Sequence, residues 1–158
     1  LISFGGSEQG QFCWPLVSAI RSLDFDVPLT VVIPGVESKG IPAGAGDVIQ
    51  LEHIDLSQAF EHHGLFVCGA GQASLEAFAA RQPVIPVVIA ANQQPNALAL
   101  EQRGVRVVSG FDPASIAKIC CEYLCVGVNN VANSQPKKES KLSQAVKTLI
   151  TYGRSDNP

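Results

Sequence analysis

Apolar residues along the chain come in short runs, most of which stop at glycine, proline or a polar residue, and two kinds of spacing alternate between one end and the other. Runs of four to seven residues at 1–4, 27–33, 48–51, 65–68, 84–89 and 105–108 have the length and the bulk of strands covered on both faces. Between them lie stripes at helical spacing: Leu16, Val17, Ile20 and Leu23; Leu75, Phe78 and Ala79; Ile116, Ile119, Cys120 and Tyr123–Leu124. Helices are expected from Trp14 or Pro15 to about Leu23, from an Asp55 or Ser57 cap through His62, from Gly71 or Gln72 to the break at Gln82–Pro83, and from Gln94 to Gln102. Another opens at Asp112–Pro113, a cap followed by a proline in the first turn. Leu142, Ala145, Val146, Leu149 and Ile150 predict a last helix within 139–153, after an irregular linker at 126–138.

Six strands alternating with helices predict an α/β fold. It is a Rossmann-like, doubly wound parallel sheet of about six strands, order 3-2-1-4-5-6, with helices on both faces. In that order the winding of the chain across the sheet reverses between strands one and four, and ligands of such sheets bind at that switch point. Strand one runs into Gly5-Gly6-Ser7-Glu8-Gln9-Gly10, and strand four into Gly69-Ala70-Gly71, so two glycine loops meet at one crevice. A helix starting near Gly71 or Gln72 presents free backbone N–H groups and its positive dipole end, which suit a diphosphate. Glu76 lies about one turn further on, where a carboxylate can accept hydrogen bonds from a ribose diol.

Composition narrows the classes. The chain has 158 residues, 46% hydrophobic and 16% charged, enough for one domain with a core. Its net charge of −3, with no basic cluster beyond Lys137, Lys138 and Lys141, argues against a nucleic-acid partner. No apolar run is long enough to span a membrane, and the first residues lack a signal pattern. Five cysteines, odd in number and without paired metal-ligand spacing, read as free thiols in a reducing, cytoplasmic setting. Cys68 at a strand end reads as core rather than nucleophile. His62–His63 reads as a solvated helix end rather than a metal pair, because adjacent helical residues point to different sides.

Three motifs in this frame, Gly-Gly-Ser after strand one, Gly-x-Gly-x-x-x-x-Glu after strand four and Ala-Asn-Gln after strand five, resemble one family. It is the donor-binding C-terminal half of B-type glycosyltransferases of the peptidoglycan N-acetylglucosaminyltransferase kind, with UDP-sugar hydrolases of pseudaminic acid synthesis nearest in look. The resemblance covers residues 1 to about 108. It implies that 1–125 form a nucleotide-sugar-binding domain; the helix that the apolar stripe predicts at 139–153 is expected to pack on the same domain. It also implies that Gly6, Ser7 and the turn Ala70, Gly71 and Gln72 hold the diphosphate and Glu76 the ribose. Ile54 would meet uracil through its backbone, and Asn92 and Gln93 the donor sugar and phosphate. Gln72 departs from the small hydroxyl residue common there, and Glu8 adds a negative charge nearby.

The donor is then UDP or a UDP-sugar, with no cofactor and no metal expected. The acceptor site and the base of that family belong to an N-terminal half, so the chain reads as a fragment. It is expected to be inactive alone, to work with that half of the same protein or with a partner subunit, and to self-associate through the cleft side or the last helix. No catalytic residue is assigned, because no candidate base has an orienting partner. The alternative is a nonenzymatic donor-binding subunit acting with a separate partner chain. A dinucleotide oxidoreductase fits poorly: strand one ends in Gly-Gly-Ser-Glu-Gln-Gly rather than G-x-G-x-x-G, and strand two ends in Ile33–Pro34 rather than an acidic residue.

Overall fold

A computed structural model describes residues 1–5, 10–25, 27–33, 47–50 and 53–130. Six parallel strands form one sheet: β1 (Ile2–Ser3), β2 (Thr30–Val32), β3 (Val48–Gln50), β4 (Phe66–Gly69), β5 (Val84–Val88) and β6 (Val108–Ser109). Their spatial order is β3-β2-β1-β4-β5-β6, with every neighbouring pair parallel. The helices are α1 (Gly10–Arg21), α2 (Leu56–Phe60), α3 (Gln72–Ala79), α4 (Gln94–Glu101) and α5 (Pro113–Asn130), and one 3-10 turn, Ala91–Gln93, leads into α4.

The alternation of strand side chains divides the core in two. Val31, Ile33, Leu65, Val67, Ile85 and Val87 face α1 and α5, meeting Leu16, Val17, Ile20, Ile116 and Ile119. Their neighbours Val32, Phe66, Cys68 and Val84 face the other way, onto Phe60 of α2 and Ala77 of α3. Both faces are covered, which is why the strands read as unbroken apolar runs rather than alternating ones.

Pro86 sits fully buried in β5, a place where a missing N–H normally breaks the ladder. Pro83 and Val87 give their carbonyls to β4, at Phe66 N and Ala70 N, so Pro86 faces the β6 side. It lies opposite a stretch where β6, which begins at Val108, has not started. No ladder bond is lost.

Several boundaries differ from the sequence reading: β2 begins at Thr30 rather than at residue 27, α2 ends at Phe60 rather than His62, and three others have a visible cause. Helix α1 begins at Gly10, so Pro15 lies inside it; Cys13, 1% exposed, extends the stripe of Leu16, Val17 and Ile20 one turn back, and that burial outweighs the preference of proline for the first turn. Strand β6 starts at Val108 rather than at residue 105, because α4 closes in a Schellman turn: Gly104, at φ 80°, donates to Glu101 O at 2.9 Å, and Val105 N to Leu100 O at 3.1 Å. Helix α5 continues to Asn130, where an irregular linker was expected from residue 126. Its start is held by Asp112, which accepts from Ala114 N at 3.2 Å and from the Ser115 hydroxyl; that hydroxyl, more than any other contact, holds the Asp112 carboxyl below the usual carboxylate range. Residues 131–138 of the linker and the expected helix at 139–153 lie outside the described residues.

Candidate functional site

At the carboxyl ends of β1, β2 and β4 the sheet opens into a cleft of about 260 Å³. Its floor is Phe4, Val32 and Gly69, and its rim carries His53, Ile54, Gln72 and Gln93. Phe4 is held from behind by two rings, Phe12 of α1 with its centroid 5.8 Å away and Phe111 ahead of α5 at 5.6 Å. Gly5, at φ 98°, turns the chain out of β1 in a conformation that glycine alone adopts without strain.

The wall opposite Phe4 is the turn from β4 into α3. Gly71 is the N-cap of α3 and offers no side chain to it, so the first-turn N–H groups are left for solvent or a ligand. At φ −96° Gly71 needs no left-handed backbone; the absent side chain keeps the approach to those N–H groups open. Ser74, fully buried, turns its hydroxyl back to Gly71 O at 2.6 Å and fixes the turn.

Across the turn lies Gln93, 9% exposed. Its Oε1 accepts from Ile89 N at 2.9 Å, tying the 3-10 turn to the end of β5. Its Nε2 hangs over the glycines: a Cβ built on Gly69 would stand 3.1 Å from it, and one on Gly71 would stand 3.9 Å away. That nitrogen has no hydrogen-bond partner among the described residues, and Gln93 lines the cleft. This amide nitrogen and the helix end therefore face the same space.

Of the residues expected at the site, the cleft unites Ile54, Gly71, Gln72 and Gln93. Ala70 is fully buried, and its N–H is spent on Val87 O at 2.8 Å, extending the sheet rather than pointing into the cleft. Glu76 stands one turn behind the wall, half-buried, with Oε1 accepting from Gln72 Nε2 at 2.9 Å; Oε2 has no partner among the described residues. Asn92 is exposed and outside the lining. Gly6 and Ser7 lie outside the described residues.

His53 and Ser3 line the cleft without having been singled out from the sequence. His53 stands immediately before Ile54, so its place after strand three was the available signal. Ser3 is the last residue of β1, and only the register that sets it beside Cys68 brings it to the cleft.

The two other chemically suggestive groups are structural. Cys68 is fully buried and its thiol is pushed far up by desolvation, so it carries no thiolate nucleophile. Burial likewise raises Cys13 to about 11 and Cys120 to about 12. His63 is not solvated as expected: its Nδ1 and Nε2 meet Ala59 O at 2.6 Å and Thr30 Oγ1 at 2.8 Å, joining α2 to β2. Among the described residues no group of three His, Cys, Asp or Glu could hold a metal, and no helix is long and apolar enough to cross a membrane. A thiol reagent is expected to modify exposed Cys125 first and Cys68 only on global unfolding; labelling of Cys68 in the native protein, read by mass spectrometry, would contradict its place in the core.

No protein-family model matches the chain, and no curated protein matches it.

Proposed function

We propose that the chain binds the UDP portion of a UDP-sugar at the β1/β4 crevice, as the donor-binding domain of a glycosyltransferase or UDP-sugar hydrolase. The observation that carries this reading is the convergence of the uncapped start of α3 and the unpaired Gln93 amide nitrogen on one cleft at the switch point. Both are donors, and an anion is the ligand that accepts from two sets of unpaired donors. In this reading Ile54, on the cleft rim, meets the base, and Glu76, which lies beside Gln72 behind the lining, meets the ribose.

In such a reaction an oxygen nucleophile attacks the anomeric carbon. The bond from that carbon to the diphosphate oxygen breaks with its electron pair on the diphosphate, and the nucleophile's proton passes to a base. The α3 N–H groups and Gln93 stabilise the charge as it grows on the leaving diphosphate. The base and the acceptor come from an N-terminal half or a partner subunit, so no catalytic residue is assigned to this chain.

Titration calorimetry with UDP, UMP and NAD tests the reading. UDP is expected to bind at least about tenfold more tightly than UMP, since one charge-assisted hydrogen bond to the second phosphate contributes about 1.5–3 kcal/mol. A preference for NAD, or equal binding of UDP and UMP, would overturn it.

A further inference from the structure

A second concavity, also of about 260 Å³, lies at the other end of the sheet, where β1, β2 and β4 begin. Its wall is mainly apolar, with Val27, Leu29, Leu65 and Leu124 among its residues. Val48, 52% exposed, adjoins it, since Val48 N donates to Leu29 O at 2.8 Å. It shares no residue with the cleft at the carboxyl ends of the strands, so nothing in the ligand reading accounts for it.

The chain itself carries a segment that fits. Helix α5 starts beside the carboxyl end of β6 and descends to the groove, whose wall includes its Cys120 and Leu124. Asn130, the end of α5, is roughly 9 Å beyond Leu124 along the helix axis. From there residues 131–141 can span up to roughly 36 Å, ample for a return to the groove. Next in the chain comes the stripe Leu142, Ala145, Val146, Leu149 and Ile150, at the spacing of one apolar helix face.

Charge points the same way. Residues 131–158 contain five Lys or Arg against two Asp or Glu, a net +3, whereas residues 1–130 contain six against twelve, a net −6. Exposed Asp24 and Glu61 stand next in sequence to the groove residues Phe25 and His62. The basic segment and the acidic body attract, and tethering through α5 holds them at a high effective concentration.

We propose that residues 139–153 dock as an amphipathic helix into the groove at the amino ends of β1, β2 and β4 of the same chain, Leu149 and its apolar neighbours entering between Leu29, Leu65 and Leu124. The segment thereby covers apolar surface away from the cleft and leaves the cleft open.

Hydrogen–deuterium exchange on the full chain tests this. Amides of residues 142–150 are expected to exchange at least tenfold more slowly than in the free peptide, at a rate independent of protein concentration. The double variant Val146→Asp/Leu149→Asp should abolish that protection and speed exchange at residues 62–65. Val27→Asp, a half-buried groove position whose loss spares the inner core, should release 142–150 in the same way. Peptide-like exchange of 142–150 in the parent protein would overturn the proposal. So would protection that grows with concentration, which would assign the groove to a second copy, or protection that both variants leave unchanged.

Discussion

Arg21→Ala is expected to lower the unfolding free energy by about 3 kcal/mol, an effect out of proportion to a residue at the end of a helix. The guanidinium donates to Phe25 O at 3.2 Å, to Val27 O at 2.9 Å and to Asp47 Oδ1, so it joins the end of α1 to the approaches of β2 and β3. Asp47 is 2% exposed at its side chain and Arg21 24%, so water screens the pair little. Asp47 Oδ1 also accepts from Leu29 N at 2.9 Å, just ahead of β2. Removing the arginine leaves a buried carboxylate without that counter-charge, a loss that costs about 3–5 kcal/mol when the pair is fully buried and somewhat less here. In urea the midpoint should fall at unchanged slope, and Arg21→Lys, which keeps the charge but not the fork, should fall in between. The double variant Arg21→Ala/Asp47→Ala should recover part of the loss. If Arg21→Ala stayed within about 0.5 kcal/mol of the parent, a typical surface-substitution effect, the clamp would have no role in holding the sheet edge.

The same clamp marks where the sequence stops being legible. The sheet order could be read in advance because each strand ends at a residue that stops it, and because two faces of apolar residues allow one parallel arrangement with helices on both sides. Local bonding moved the boundaries. The run at 27–33 reads as a strand throughout, yet β2 starts at Thr30, since Leu29 N is held by a side chain rather than by the ladder. Val105 reads as strand and is the last bond of a helix end. Such choices depend on partners far along the chain, which periodicity does not carry.

At the cleft the split is similar. The glycine turn and the helix start were visible as a local pattern, and so was Gln93 by resemblance. What could not be read is that the Ala70 N–H continues the sheet and that Gln93 Nε2 lies over Gly69. Both follow from the register of β4 against β5, which only the folded sheet fixes. The pairing of Gln72 with Glu76, by contrast, is an i, i+4 contact that the sequence contains outright.

That pairing sharpens what Glu76→Gln should do. A Gln at 76 keeps the length of the side chain and can still accept from Gln72, so the helix loses little: a few tenths of a kcal/mol to about 1, which moves the melting temperature by a few degrees at most. Toward a ribose the change is larger. The carboxylate offers Oε2 to a hydroxyl as a charged acceptor, whereas the amide places there a donor or a neutral oxygen. A charge-assisted bond contributes about 1.5–3 kcal/mol, which is about ten- to a hundredfold in affinity. Glu76→Gln is therefore expected to weaken UDP binding at least tenfold in calorimetry, and UDP lacking its ribose hydroxyls should bind the parent comparably weakly. The two losses should not add, because each removes the same contact. Equal binding of UDP by variant and parent would remove Glu76 from the site. The α3 N–H groups and Gln93 would then remain as an anion pocket without a sugar-reading residue, a result that separates loss of the ribose contact from loss of the cleft itself.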